Sequence, residues 1–450
     1  MDKTPIGRVV ATKDKPSTAY EFHFWTGEND ATVGIGTLVV AGGESRTTYG
    51  VVVEGEGFTD LDSALHEYIG SDGDPQSAPA TVRPEVRCYK AAVLRVDPEE
   101  PLQPVPVSEV FLADDAGVQQ ALRMDGYVNT SGIPVGLYQN GDLLSPVYLD
   151  SEFLLGPEAA HLNITGVSGL ATKTSSIEFI LQSIFAHFKQ DVAVVCFNVK
   201  GCDMLFLDFP ATAPTTGQDA CTGQDFRILA SGSELEQLYL DHGISTIADE
   251  DIEKYEKLKT PCEPFRNVKY FAPYKYDRVN LNTLRTHPDL IGSVTPMSWG
   301  LKDILEFTEV LMNRDDVDAK ADALIQYIRQ RVVDQPSEVG RQQLTVRNFV
   351  DLNKWFDAVL KEMEESNRSE WKTHHYATIR KVYNRLSNLS TRYQGLISPD
   401  EFSSDMPWGE FEDRAVYVID VAKLDAQAQD LVFTRVVSKL REHLEKGNLG

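Results

Sequence analysis

The 450-residue chain carries 43 Lys and Arg against 68 Asp and Glu, which gives a formal net charge of −25. This length suffices for two to three structural units, and 42% hydrophobic residues fit a globular protein rather than a disordered polyanion. Such acidity argues against a general nucleic-acid coat, which needs a basic surface, although it leaves room for a local basic channel.

The cysteines and the apolar stretches point to a cytoplasmic protein. The five cysteines are odd in number and form no CxxC pair, so we expect neither a disulfide framework nor a zinc site. The N-terminus lacks the apolar run of a signal peptide, and the longest apolar stretches fall well short of the about 20 residues that span a bilayer. We expect no membrane partner.

Residues 1–110 have the pattern of a small all-β barrel. Short apolar segments alternate there with Gly and Asp turn signals. A short helix is predicted at 60–69, and proline-rich 98–107 is interpreted as a linker that leaves the barrel. The predicted strands cover residues 6–10, 22–25, 35–41, 48–55 and 89–96.

Residues 111–208 predict the first part of an α/β domain. Asn140-Gly141 lies between the apolar segments 135–139 and 145–149, which is a strong hairpin signal. A strand at 161–165 is then predicted to lead through a glycine-containing loop into a helix at 175–188 and a strand at 191–199. Such a β-loop-α-β unit implies a parallel sheet.

The remaining chain is divided into three parts. Residues 209–298 are interpreted as an irregular insertion, and 299–395 as a helical insertion. In 396–450 a strand at 414–420 and a helix at 424–445 return to the sheet and leave it incomplete. The helical spacing of apolar residues in the insertion predicts helices at 301–313, 316–333, 346–365 and 376–393.

A candidate phosphate-binding loop follows the predicted strand at 161–165. A phosphate loop needs small residues that aim backbone N–H groups at phosphate oxygens, a lysine for the β/γ-phosphates and a hydroxyl for Mg²⁺. Lys173 and Thr174 fit the last two roles, whereas Thr172 stands where the GxxxxGK[ST] pattern has glycine. An ordinary strand-to-helix turn with a surface lysine is the alternative. The candidate residues are Gly166, Val167, Ser168, Gly169, Leu170, Ala171, Thr172, Lys173, Thr174 and Ser175.

Segment 161–175 resembles the phosphate loop of the HerA-type ATPases, hexameric translocases of the HerA/FtsK superfamily. The barrel and the segments 134–169, 197–208 and 417–444 are similar to further parts of those proteins. The resemblance implies a barrel followed by a RecA-like P-loop NTPase domain with a helical insertion. It also implies ATP and Mg²⁺ as cofactors, a homo-hexamer around double-stranded DNA, and a nuclease or effector partner in DNA end processing or anti-phage defence.

In that family the catalytic Asp-Glu lies on a further strand beyond the segment that 417–444 resembles. This sequence does not contain it, so we expect a truncated form, or else ATP binding without hydrolysis. The alternative functions are a non-hydrolysing ring scaffold and a nucleotide-gated regulator of an effector. Asp420, which ends the strand VYVID, is interpreted as a turn cap in preference to a Mg²⁺ ligand. Lys200 or Asp203 could face the nucleotide, or belong to a solvated turn.

Segment 368–392 is the most basic in the chain. Basic residues interleaved with aromatic residues could contact a nucleic-acid backbone, and Arg380, Lys381 and Arg385 are the candidates. The favoured alternative is a helix with a buried apolar stripe, whose charges form the solvated face. The stripe would contain Ile379, Val382, Leu386, Leu389 and Tyr393.

Overall fold

The computed structural model divides into two compact units. Unit 1 comprises Met1–Lys189 and Asp249–Cys262, and unit 2 comprises Gln190–Ala248 and Glu263–Gly450. The structure describes residues 4–27, 33–43, 45–76, 85–156, 160–166, 172–209, 232–244, 247–306 and 319–446.

Unit 1 contains a closed barrel of six antiparallel strands. They are β1 (Gly7–Val10), β2 (Glu21–Thr26), β3 (Leu38–Gly43), β4 (Arg46–Phe58), β5 (Val86–Asp97) and β6 (Glu109–Leu112). The order around the barrel is β1-β2-β5-β4-β3-β6. The predicted barrel is therefore confirmed, but β6 was not predicted. This four-residue strand closes the barrel by pairing with both β1 and β3. Phe22, Phe24, Val39 and Ala91 are fully buried in its core.

A hairpin packs on the outer surface of this barrel. It consists of β7 (Gly132–Asn140) and β8 (Leu143–Asp150), and Gly141 in the turn has a φ of +63°. The predicted hairpin is confirmed, but Asn140 ends a strand and is fully buried. Its side chain accepts from the Leu38 amide at 2.8 Å and donates to the carbonyls of Leu38 at 3.1 Å and Ala113 at 2.8 Å. Asn140 thus holds the hairpin on β3.

Replacing Asn140 by alanine is expected to destabilise unit 1 by about 3 kcal/mol, because each buried backbone group left without a partner costs about 1–3 kcal/mol. Hydrogen exchange at the Leu38 amide measures this loss directly. The exposed neighbour Gln139 provides the control, since its change to alanine should alter stability by less than about 0.5 kcal/mol. Equal exchange rates in the two variants would show that the Asn140 side chain does not hold the hairpin.

The remaining elements of unit 1 are helices. They are α1 (Ala64–Gly70), α2 (Asp115–Ala121), α3 (Ser151–Leu155), α4 (Thr172–His187) and α6 (Asp249–Lys257). Ser183 of α4 donates to the carbonyl of Pro134 in β7 at 2.6 Å. The predicted strand at 161–165 is not formed: residues 160–166 have no strand partner, and Leu162 is 51% exposed.

Unit 2 is built on a four-stranded parallel sheet, so the expected parallel α/β arrangement is confirmed. The strands are β9 (Val194–Asn198), β10 (Val268–Pro273), β11 (Val294–Met297) and β16 (Val416–Asp420), in the order β11-β10-β16-β9. All three strand pairs are parallel. Two of these strands lie within residues 209–298, where sequence patterns had indicated irregular structure. β10 and β11 were missed because they have only six and four residues and no clear periodicity.

A helical layer shares one hydrophobic core with this sheet. Helices were predicted correctly in the four segments of 299–395, although their bounds differ and residues 307–318 lie outside the described ranges. Phe271 of β10, Tyr417 of β16 and Trp355 of the helical layer belong to the same cluster. The helical layer and C-terminal helix are α8 (Leu301–Leu305), α9 (Ala319–Arg331), α10 (Phe349–Glu365), α11 (Tyr376–Arg392) and α12 (Ala426–Glu445).

Shorter elements complete unit 2. They are a 3₁₀ turn (Asp203–Leu205), α5 (Gly232–His242), α7 (Pro288–Ile291), and two small hairpins, β12 (Pro336–Val339) with β13 (Gln342–Thr345) and β14 (Glu370–Trp371) with β15 (His374–His375).

The described part of the chain has no helix long and apolar enough to cross a membrane.

Candidate functional site

The two ends of the candidate phosphate loop lie close together at the start of α4. The Lys173 ammonium donates to the Gly166 carbonyl across 3.2 Å, although the two residues are seven positions apart. The side chain of Lys173 is exposed, as is Ser175, whereas Thr174 is half-buried. Outside the described residues lie Val167, Ser168, Gly169, Leu170, Ala171 and the side chain of Thr172.

The electrostatic character of this helix end suits an anion. α4 has 16 residues and no acidic residue in its first turn. The backbone N–H groups of its first turn carry the partial positive charge of the helix N-terminus, and Lys173 adds a full charge beside them. Farther along, Leu181 and Ile184 are buried and anchor the helix in unit 1. The exposed cationic end thus rests on a fixed helix.

The opposite end of α4 carries a histidine that resists protonation. His187 is half-buried, and burial lowers the pKa of its imidazole, partly offset by backbone hydrogen bonds with Leu258 and Lys259. Phe179, on the same helix, meets the Tyr255 ring of α6 edge to face at 5.1 Å between ring centroids. These contacts position the helix and leave its first turn exposed.

Asp420 is a fully engaged structural carboxylate in unit 2. It ends β16 and is 1% exposed. Its Oδ1 accepts from the Asn198 side-chain amide at 3.0 Å and from the Ala422 N–H at 3.2 Å. Its Oδ2 accepts from the Thr283 hydroxyl at 2.7 Å and from the Leu284 N–H at 2.8 Å. An ionised carboxylate has about four acceptor sites, so these donors fill them. The geometry supports a turn cap over a Mg²⁺ ligand.

The Asn198 side chain and a glycine organise the turn after β9. The Asn198 side chain also donates to the Gly201 carbonyl at 3.0 Å, and Gly201 has a φ of +72°, which favours glycine. Lys200 is exposed, and the side chain of Asp203 lies outside the described residues. Lys200 thus occupies a solvated turn.

The basic segment forms the polar face of α11, as its favoured interpretation expected. Ile379, Val382 and Leu386 are fully buried. Arg380 is exposed and donates to the Tyr376 hydroxyl at 2.8 Å, while Lys381 and Arg385 are half-buried. A nucleic-acid contact by Arg380, Lys381 and Arg385 stays a prediction.

A buried charged cluster in unit 2 was missed by sequence analysis. Arg285 is 2% exposed and donates to both carboxylate oxygens of Asp208, at 3.0 and 2.7 Å. Its guanidinium lies 4.1 Å from the centroid of the Tyr270 ring, whose hydroxyl donates to the same carboxylate at 2.6 Å. Burial and the charge of Asp208 raise the pKa of Tyr270 well above its usual value. No spacing pattern links these residues, because they come from three separate segments.

The phosphate-loop candidate and Asp420 belong to different units. Lys173 and Thr174 lie in unit 1, whereas Asp420 lies in unit 2. The contact given above for Lys173 lies within unit 1, and those given for Asp420 lie within unit 2. No protein-family model matches the chain, and no curated protein matches it either.

Proposed function

We propose that residues 166–175 bind the phosphates of ATP together with Mg²⁺. The observation that carries this proposal is the contact between the Lys173 ammonium and the Gly166 carbonyl at the exposed N-terminus of α4. In the bound state a phosphate oxygen would replace that carbonyl as the lysine's acceptor, Thr174 would ligate Mg²⁺, and backbone N–H groups between Gly166 and Ser175 would cradle the phosphates. Lys173 and Thr174 would thus be the catalytic residues if the site hydrolyses ATP.

We further propose that the chain is the nucleotide-binding subunit of a homo-hexameric ring that moves double-stranded DNA with a nuclease or effector partner. This step rests on the resemblance to HerA-type ATPases. The closed barrel and the parallel sheet are compatible with that resemblance. In ring ATPases the nucleotide lies between subunits, so an arginine of a neighbouring subunit would complete the site.

A specific observation favours a second candidate, a ring scaffold that does not hydrolyse ATP or a nucleotide-gated regulator of a partner effector. Asp420, the carboxylate weighed as a Mg²⁺ ligand, is committed to four hydrogen-bond donors and is not free to ligate Mg²⁺. Turnover of ATP in the presence of double-stranded DNA separates the two candidates, because the motor requires it and the regulator does not.

Lys173→Ala is expected to weaken Mg-ATP binding by about 10–100-fold, since a hydrogen bond to a charged group contributes about 1.5–3 kcal/mol. Isothermal titration calorimetry of the full chain measures the affinity. Lys189→Ala is the matched control, because Lys189 is an exposed lysine just beyond the other end of α4. Tight binding that survives Lys173→Ala would overturn the phosphate-loop assignment, and an unmodified chain that binds no ATP would favour the scaffold.

A further inference from the structure

A second potential ligand site lies at the carboxyl edge of the parallel sheet in unit 2. A cleft of about 240 Å³ opens there between the residues that follow β10, the residues that follow β16 and the C-terminal end of α11. Its lining includes Tyr274, Lys275, Tyr276, Arg392, Tyr393 and Lys423. No sequence pattern marks the cleft, because its walls come from three distant segments.

The sheet topology explains why a cleft forms at this position. β10 and β16 are neighbours, yet the chain leaves them in opposite directions. After β10 it continues to β11 on the outer side. After β16 it enters α12, whose Phe433 ring lies 5.0 Å from the Phe197 ring of β9 on the other side. Open α/β sheets bind ligands in the crevice outside the carboxyl ends of two such strands.

The backbone around the cleft is fixed where Gly395 packs directly against the carbonyl of Tyr274. Gly395 has a φ of +89°, and a Cβ there would lie 2.0 Å from the Tyr274 carbonyl oxygen. Only glycine permits this contact, which brings the end of α11 against the segment after β10. Arg278 secures that segment with two bonds to the Asp400 carboxylate, at 2.8 and 3.1 Å. The cleft is therefore held open by ordered walls.

Positive charge is concentrated in this cleft. Lys275, Arg392 and Lys423 come from its three walls, and within the described ranges none of them forms an ion pair with a carboxylate. Arg392 donates to the Gln427 side-chain oxygen and Lys423 to the Thr283 carbonyl at 2.7 Å, acceptors that a phosphate would have to replace. The Asp425 carboxylate accepts from the Ala428 N–H at 2.9 Å and caps α12. The negative charge of this cap offsets the partial positive charge at the N-terminus of that 20-residue helix, so the positive charge of the cleft comes from the three side chains. In a chain of net charge −25, such a cluster favours an anionic ligand.

We propose that this cleft binds a small phosphorylated ligand with an aromatic ring, such as a mononucleotide. The three cations would take the phosphate, and the rings of Tyr274, Tyr276 and Tyr393 offer stacking surfaces for the base. The cleft volume of about 240 Å³ lies below the usual range for drug-sized ligands, which favours a small ligand. The lining residues of the cleft belong to unit 2, whereas the phosphate loop belongs to unit 1.

Titration of AMP into the full chain carrying Lys173→Ala tests this proposal without interference from the phosphate loop. We expect one AMP per chain, with affinity weakened about tenfold or more by Lys275→Gln or Arg392→Gln and retained by Lys275→Arg. Lys361→Gln is the control, because Lys361 is an exposed lysine on α10 outside the cleft. Inorganic phosphate should compete with AMP, and adenosine should bind more weakly than AMP.

Three results would overturn the proposal. The first is no AMP binding at concentrations up to about 1 mM. The second is equal AMP affinity in the Lys275→Gln, Arg392→Gln and Lys361→Gln variants. The third is Lys275-dependent binding of a single-stranded oligonucleotide without binding of AMP, which would assign the cleft to a nucleic acid instead. None of these three results tests ATP binding at Lys173, which is measured in its own titration.

Discussion

Arg435→Ala should lower the free energy of unfolding by about 3–5 kcal/mol, the usual cost of removing one partner from a buried ion pair. Arg435 is 2% exposed on α12. Its guanidinium donates to the carboxylates of Asp303 at 3.0 Å and Asp405 at 2.6 Å, and it lies 4.7 Å from the centroid of the Trp299 ring. Alanine would leave two largely buried carboxylates without a cation and open a cavity beside the indole.

Urea unfolding followed by tryptophan fluorescence measures this loss, because Trp299 lies at the substituted site. Arg441→Ala is the matched control: Arg441 lies on the same helix and pairs with Glu445 at 2.8 Å, but its side chain is 80% exposed. Such exposed pairs contribute about 0.3–0.5 kcal/mol. Adding Asp405→Asn to Arg435→Ala should restore part of the lost stability. Absence of any recovery would mean that uncompensated charge is not the cause.

The sequence predicts local patterns well and distant partners poorly. The strands of the barrel are visible as apolar runs between turns, and the buried stripe of α11 is visible as helical spacing of Ile379, Val382 and Leu386. Arg435 had a usable signal, because it lies four positions after Leu431, within the apolar face of α12. The helical period places it in the core, so a buried ionic role was open to prediction.

No local sequence pattern identifies the hydrogen-bond partners of the buried polar side chains. The Asn140 side chain contacts backbone groups of Leu38, 102 positions away, and Asp420 contacts Asn198, 222 positions away. Asn140-Gly141 correctly predicted a hairpin, but nothing local distinguishes an asparagine in the turn from one that binds a barrel strand. The ion pair of Arg285 with Asp208 likewise depends on the order of strands, which single-sequence periodicity does not determine.

The two candidate sites also differ in how far sequence patterns could predict them. The phosphate loop is contiguous, so the spacing of Gly166 and Lys173 could predict that its ends meet, and they do at 3.2 Å. The cleft beside β10 and β16 combines residues from 274–282, 392–396 and 423–428. Because β10 itself was not predicted, the edge of the sheet that forms this cleft could not be located.

Asp420→Ala should lower the free energy of unfolding by about 3–5 kcal/mol, because it leaves four donors without their acceptor and each buried orphan costs about 1–3 kcal/mol, part of which water can recover. The four donors come from β9, from residues 283–284 and from the turn after β16, so the carboxylate joins three segments. Asp420→Asn keeps one acceptor oxygen and should lose about half as much. Asp430→Ala, at an exposed position on α12, provides the control.

Chemical unfolding with and without Mg-ATP separates the structural role of Asp420 from a metal-binding role. A turn cap predicts the same loss in both conditions, because the four hydrogen bonds do not depend on the nucleotide. A Mg²⁺ ligand predicts an extra loss confined to Mg-ATP, since a ligand that binds the folded state stabilises it in proportion to its affinity. If Asp420→Ala kept the stability of the free protein and abolished only the stabilisation by Mg-ATP, the carboxylate would belong to the nucleotide site and its interpretation as a cap would be wrong.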